Sequence, residues 1–169
     1  MESVKEAVLA ALDGLGIAYD LLEHEPVHTM EDCKAAEEAL GGVMPKNLFL
    51  TPRNHATHHL LIARADAPFR TARVSRQLGV SRLSFATAEE LMEMLRTLPG
   101  AISPMGLLFD QERKVRLAID RALRGEERLL FHPCVNTATL AVSGADFFER
   151  LLPALGHEAT YVDMEEDAE

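Results

Sequence analysis

A chain of 169 residues, 47% of them apolar, has the length of one ordinary domain and enough apolar side chain to bury a core without disulfides or a structural metal. Its two cysteines, Cys33 and Cys134, lie far apart and are too few for the disulfide framework of a secreted scaffold, and no apolar run reaches the roughly 18 residues of a membrane span. The net charge of -10 excludes indiscriminate binding to nucleic-acid backbones, which needs clustered Lys and Arg.

In chain order, Val4, Val8, Ala11, Leu12 and Leu15 recur at helical spacing, and Gly14 and Gly16 end the pattern. The N-terminus Met1-Glu2-Ser3-Val4-Lys5-Glu6 is charged where a signal peptide turns apolar, so the cytoplasm is the expected compartment. Residues 17–23 read as a strand and His24 to His28, around Pro26, as a turn. Thr29 with Asp32 has the spacing of a capping box for a second helix, which Gly41-Gly42 closes. Leu48-Phe49-Leu50 and Leu60-Leu61-Ile62-Ala63 flank the polar stretch Pro52-Arg53-Asn54-His55 and read as a hairpin.

Arg70 to Leu78 reads as a short helix ended by Gly79, with Arg70, Arg73 and Arg76 three apart and so on one face. Arg82 to Phe85 is a short strand. Thr87 and Glu90 form a capping box that opens a helix through Leu91, Met94, Leu95 and Leu98. The segment Leu98 to Gly106 holds two Pro and two Gly, which demands an irregular loop of constrained shape. Leu107-Leu108-Phe109 and Val115 to Ile119 read as a strand pair, with further strands at Arg128 to Phe131, Ala138 to Val142 and Ala159 to Val162. Ser143 caps a helix carrying Phe147, Leu151, Leu152 and Leu155.

Five acids in the last seven residues read as a solvated tail, which gives a domain over 1–162 and an acidic tail over 163–169. Strands outnumber helices and follow hairpin-like turns. The expected fold class is therefore α+β, a single domain with a mixed, largely antiparallel sheet.

Three irregular segments carry polar residues that packing does not demand: Pro45-Lys46-Asn47, Gly100 to Gly106, and His132 to Thr137. Lys46 fits a solvated charge at a strand entrance, and it equally fits a compact cation offered to a phosphate or to developing negative charge, with Asn47 beside it as donor and acceptor. The Gly100 loop is either a plain connection or a frame that holds backbone N–H and C=O groups close to a ligand. His55 and His59 have helical ligand spacing for zinc, but turn and strand surround them, so no metal is expected. His58 or His59 reads as the outward residue of an alternating strand. Cys134 beside His132 has the composition of a thiol nucleophile, yet Cys is more often a small buried hydrophobe.

Taken together, Lys46-Asn47-Leu48-Phe49-Leu50, Pro99-Gly100-Ala101-Ile102-Ser103-Pro104-Met105-Gly106-Leu107 and Phe131-His132-Pro133-Cys134-Val135-Asn136-Thr137-Ala138 resemble the YbaK/ProX family of aminoacyl-tRNA editing domains. Within it, the chain is most similar to the free-standing proteins that clear alanine from tRNA(Pro). The resemblance implies a barrel-like sheet flanked by helices and hydrolysis, without a cofactor, of the ester joining an amino acid to the terminal ribose of tRNA. Lys46 matches the family's lysine, which is needed for activity. Gly100 and Pro104 match its Gly-x-x-x-Pro loop, so Ala101, Ile102 and Ser103 between them are expected at the substrate. His132 matches a pocket histidine that helps sense side-chain size, and Asn47 lies where a second polar contact is expected.

The partners implied are the acceptor end of an aminoacyl-tRNA and, transiently, a prolyl-tRNA synthetase, with no membrane and no DNA. Met105 departs from the Phe common in related sequences. The segment around Arg70 and Arg73 is more basic than the family pattern, so Arg70, Arg73 and Arg76 are expected either to touch tRNA or to form an ordinary solvated face. Two other readings stand beside Ala-tRNA(Pro) as substrate: Cys-tRNA(Pro) or another mischarged tRNA, and a non-catalytic tRNA-binding or regulatory module.

Overall fold

Residues 3–26 and 30–164 are described by a computed structural model. The expected Thr29 cap and residues 165–169 of the acidic tail lie outside the described residues. The chain runs α1 (Val4–Gly14), β1 (Asp20–Glu23), α2 (Met30–Leu40), β2 (Lys46–Pro52), β3 (His58–Ala63), α3 (Thr71–Leu78), β4 (Leu83–Phe85) and α4 (Ala88–Leu95). It continues with β5 (Val115–Asp120), β6 (Arg128–Phe131), β7 (Ala138–Ser143), α5 (Gly144–Asp146), α6 (Leu152–Leu155) and β8 (Ala159–Val162). No helix among the described residues is long and apolar enough to cross a membrane.

Local chemistry sets most of these boundaries. Ser3 with Glu6 opens α1, and Thr87 with Glu90 opens α4; each is a capping box in which side chain and backbone satisfy one another's hydrogen bonds. Gly79 takes the left-handed conformation (φ 69°) that ends α3.

The strands form two sheets. One is five-stranded and mixed, in the order β4-β2-β3-β5-β8, with β3-β5 and β5-β8 parallel. The other is three-stranded and antiparallel, in the order β1-β7-β6. The main core lies between them: Phe49, Ile62, Leu117 and Ile119 from the larger sheet meet Leu129, Phe131, Leu140 and Val142 from the smaller one, with Val8 and Leu12 of α1 and Leu91 and Leu95 of α4 closing the sides. The outer face of the larger sheet is covered by α3 through Val74, packed with Leu50 and Leu61. The outer face of the smaller sheet is covered by α2 through Ala36, packed with Leu130 and Ala141. Strand alternation thus divides each sheet's side chains between two apolar layers, and β3 is buried on both faces.

Four expectations are corrected. The sheet does not close into a barrel; the strands divide into two sheets instead. Leu107-Leu108-Phe109 is the end of a 3-10 helix over Pro104–Phe109, because Ser103 accepts the Met105 N–H as a cap, Pro104 supplies a preset φ, and Gly106 packs directly on α4. Only Asp20–Glu23 of the expected strand over 17–23 pairs in a sheet, since Ile17 is drawn into the core beside α1. Neither His58 nor His59 points outward: His59 is buried and His58 nearly so, as a doubly covered strand requires. The helix after Ser143 forms as expected but widens into a π-helical turn over Phe147–Leu151, where Pro153 offers no N–H to the turn before it.

Candidate active site

The three irregular segments converge on one side of the smaller sheet. A cavity of about 160 Å³ is lined by Cys33 of α2, the entry to β2 (Met44, Pro45, Asn47), the turn Pro99, Gly100 and Ile102, and the end of β6 with His132. It lies below the roughly 300–1,000 Å³ of sites for larger metabolites, so it suits a small group. A larger cleft of about 590 Å³, lined by Phe148, His157 and Tyr161 among others, contains none of the three segments.

Asn47 supplies the main polar feature of the cavity. Its Nδ2 donates at 3.4 Å to the Pro45 carbonyl, while its buried Oδ1 has no hydrogen-bond partner, alone among buried side-chain nitrogen and oxygen atoms of the described residues. A buried acceptor left unmet costs about 1–3 kcal/mol, so this oxygen is primed for a donor from a ligand. His132 is fixed by its own backbone: Nδ1 lies 2.9 Å from the Ala138 carbonyl, which can only accept. The proton is therefore on Nδ1, and neutral His132 keeps Nε2 as an acceptor. Burial holds its pKa below the usual 6.5, against the Ala138 hydrogen bond and with a smaller contribution from His24, whose ring centroid is 6.4 Å away.

The Gly100 loop is rigid for identifiable reasons. Thr97 Oγ1 donates to the Ala101 carbonyl at 2.8 Å, and the Ala101 N–H donates to Leu98 at 2.9 Å. At Gly106 a Cβ would stand 2.6 Å from the Leu95 carbonyl oxygen, so the loop sits against α4 at a distance only glycine permits. Of the loop residues, Gly100 and Ile102 line the cavity; Ala101, Ser103 and Pro104 are buried behind them, and the Ser103 hydroxyl is occupied by the Met105 N–H at 3.1 Å. Met105 is fully buried in the main core.

Lys46 does not line this cavity. Along β2, Leu48 and Leu50 face α3 while Phe49 faces the main core, so Lys46 and Asn47 leave the strand on opposite faces. The Lys46 ammonium donates to the Ala67 carbonyl, in the segment that leads to α3. Arg70 and Arg76 are exposed on that side and Arg73 is half-buried, 3.4 Å from Asp163.

Sequence reasoning missed Cys33, which α2 brings to the cavity rim and which only tertiary packing could reveal. Cys134 is a buried thiol in a left-handed turn (φ 63°), and burial pushes its pKa up to about 12. That is incompatible with a thiolate nucleophile at neutral pH.

A family model for the aminoacyl-tRNA editing domain matches residues 24–149. The chain is 33% identical to the prolyl-tRNA editing protein ProX of Acetoanaerobium sticklandii, over 95% of this chain and 97% of that protein. It is 34% identical to the prolyl-tRNA synthetase associated domain-containing protein 1 of Danio rerio, over 83% of this chain and 77% of the relative. Among solved structures, a candidate trans-editing enzyme for prolyl tRNA synthetase shares the fold, with a TM-score of 0.74, 19% identity and 99% of each chain covered.

Proposed function

Because the chain belongs to the aminoacyl-tRNA editing domain family, we propose that it is a trans-editing hydrolase that deacylates mischarged tRNA(Pro), with Ala-tRNA(Pro) as its substrate. The observation that carries this reading is the small cavity lined by Asn47, whose buried Oδ1 has no hydrogen-bond partner. An aminoacyl ester brings a small side chain and an α-ammonium group, which are the volume and the donor this site lacks. Alanine fits by size, and the walls formed by Ile102, Gly100 and His132 exclude a bulkier residue by clash, the form of selection open to a small pocket.

In the reaction a water oxygen adds to the ester carbonyl, the tetrahedral oxyanion collapses, and the bond to the ribose oxygen breaks as that oxygen takes a proton. Catalysis then rests on placing the water and stabilising the oxyanion. Lys46 acts from the opposite face of β2 as the cation that meets the terminal phosphate; its bond to Ala67 holds it at the strand entrance and leaves two N–H groups to offer. Arg70, Arg73 and Arg76 lie on the same side and serve the acceptor stem. Asn47 and His132 orient the aminoacyl group, and a substrate hydroxyl orients the water.

Rates of alanine release from Ala-tRNA(Pro) test these roles. Lys46→Ala slows release by about 100-fold, the cost of a misplaced reacting group, while the circular dichroism spectrum stays that of the wild type. A Lys46→Ala variant as fast as the wild type removes Lys46 from the mechanism. A panel of tRNA(Pro) charged with Cys, Ser or Thr ranks the remaining substrates.

A further inference from the structure

At the end of the β2-β3 hairpin remote from Lys46, three side chains from three different elements meet. His55 belongs to the hairpin turn, His58 opens β3, and Glu90 is in the first turn of α4. His55 Nδ1 lies 3.0 Å from Glu90 Oε2 and 3.1 Å from Oε1, and His58 Nε2 contacts the same Oε2. One ligating atom from each residue falls within 4.8 Å of the others. Lys46 pairs with Ala63, at the far end of β3 from His58, so the cluster is about 17 Å along the strand from the editing site.

From this geometry we infer that His55, His58 and Glu90 form a binding site for a transition-metal dication of the Zn²⁺ class, separate from the editing cavity. Two imidazole nitrogens and one carboxylate oxygen are the donors that such borderline ions take, whereas Mg²⁺ and Ca²⁺ require mostly oxygen ligands. Three protein ligands leave a fourth tetrahedral position for water. Metal–ligand bonds of about 2.0–2.2 Å put neighbouring ligand atoms roughly 3.3 Å apart, close to the 3.0 Å between His55 and Glu90; His58 Nε2 lies closer than that to Glu90 Oε2 and moves back as the ion enters. Each histidine binds as the neutral ring, through a lone pair at the nitrogen now facing Glu90 and with its proton on the other nitrogen.

The site is preformed from several directions. His55 is held with φ 55°, a left-handed conformation that a side-chain-bearing residue adopts at a cost, while its N–H bonds to Pro52 at 2.9 Å and the Asn54 side chain accepts the Ala56 N–H at 3.0 Å. The His58 ring is stacked on Phe49, with centroids 5.6 Å apart. Glu90 is fixed by accepting the Thr87 N–H at 2.9 Å. The sequence pairing of His55 with His59 fails because adjacent strand residues face opposite ways: the buried His59 ring is engaged with Thr57 Oγ1 at 2.9 Å, and His58 takes its place beside His55. An ion here ties the hairpin tip to α4, the helix that leads into the Gly100 loop.

The test uses the whole chain without a polyhistidine tag. Titration with Co²⁺, followed by its visible absorption, and with Zn²⁺, followed by calorimetry, is expected to show one equivalent bound per chain and no binding of Mg²⁺. Zn²⁺ is also expected to raise the thermal midpoint, since an ion that binds only the folded chain stabilises it. His55→Ala, at an exposed position, and His58→Phe, which keeps the stack on Phe49, each weaken binding by tenfold or more. Absence of Co²⁺ and Zn²⁺ binding by the wild type overturns the proposal, and so does binding that survives unchanged in His55→Ala, which assigns the ion to other residues.

Discussion

At the scale of single residues, the cavity is set by protonation and by hydrogen bonds that are either met or left open. His132 carries a testable consequence. Its folded pKa lies below the 6.5 of an unperturbed histidine, first because burial disfavours the cation. The unfolded chain therefore takes up this proton before the folded one does. The stabilisation is complete above about pH 6.5 and is lost as pH falls through 6.5 towards the lower folded value. Denaturant midpoints measured at pH 7 and pH 5 are expected to drop less in His132→Gln than in the wild type; His59, held by burial at about 4, contributes in both proteins, so an equal drop removes His132 as a contributor. The sequence marked Lys46, Asn47, Gly100 and His132 through their loops, but it does not reveal which way a side chain leaves its strand. Asn47 turns into the cavity and Lys46 away from it, a distinction visible only once β2 is seated between α3 and the main core. Cys33 was hidden for a similar reason, because nothing in the local pattern of α2 says what its inner face will meet.

At the scale of elements, short-range signals were the most legible. The Thr87-Glu90 capping box, the stop at Gly79 and the hairpin around Asn54 all formed where residue chemistry put them. The failure at Leu107-Leu108-Phe109 has a clear cause: three apolar residues fit a strand or a tight helix equally, and the choice fell to Ser103, Pro104 and the packing of Gly106 on Leu95. That contact also places the Gly100 loop, so it can be probed directly. Gly106→Ala puts a methyl group 2.6 Å from the Leu95 carbonyl oxygen, and neither backbone can yield without moving the loop or α4. Thermal unfolding is expected to show a loss of about 1–3 kcal/mol, typical of overpacking, with a midpoint several degrees lower. An unchanged midpoint would show that the loop and helix are not locked together.

At the scale of the whole molecule, two sheets with a helix on each outer face leave the small cavity at the margin of the smaller sheet, where α2, the start of β2 and the Gly100 loop close over it. The α+β class and the mixed strand pairing were readable from the alternation of turns and apolar runs. Closure was not, because whether a sheet wraps or divides depends on pairings between strands distant in sequence, as in β1 with β7 and β3 with β5. Net charge belongs to this scale as well. Under the proposed function a chain at -10 meets tRNA through a local cationic strip, for which Arg73 and Arg76 of α3 are the candidates. The central proposal is that this small cavity selects a small aminoacyl group for hydrolysis. The most direct measurement follows the purified wild-type chain acting on tRNA(Pro) charged with alanine or with proline, with intact ester counted over time. Rapid loss of Ala-tRNA(Pro) is expected while Pro-tRNA(Pro) decays no faster than in buffer; survival of Ala-tRNA(Pro) at the buffer rate, or equal hydrolysis of both, would contradict the proposed function.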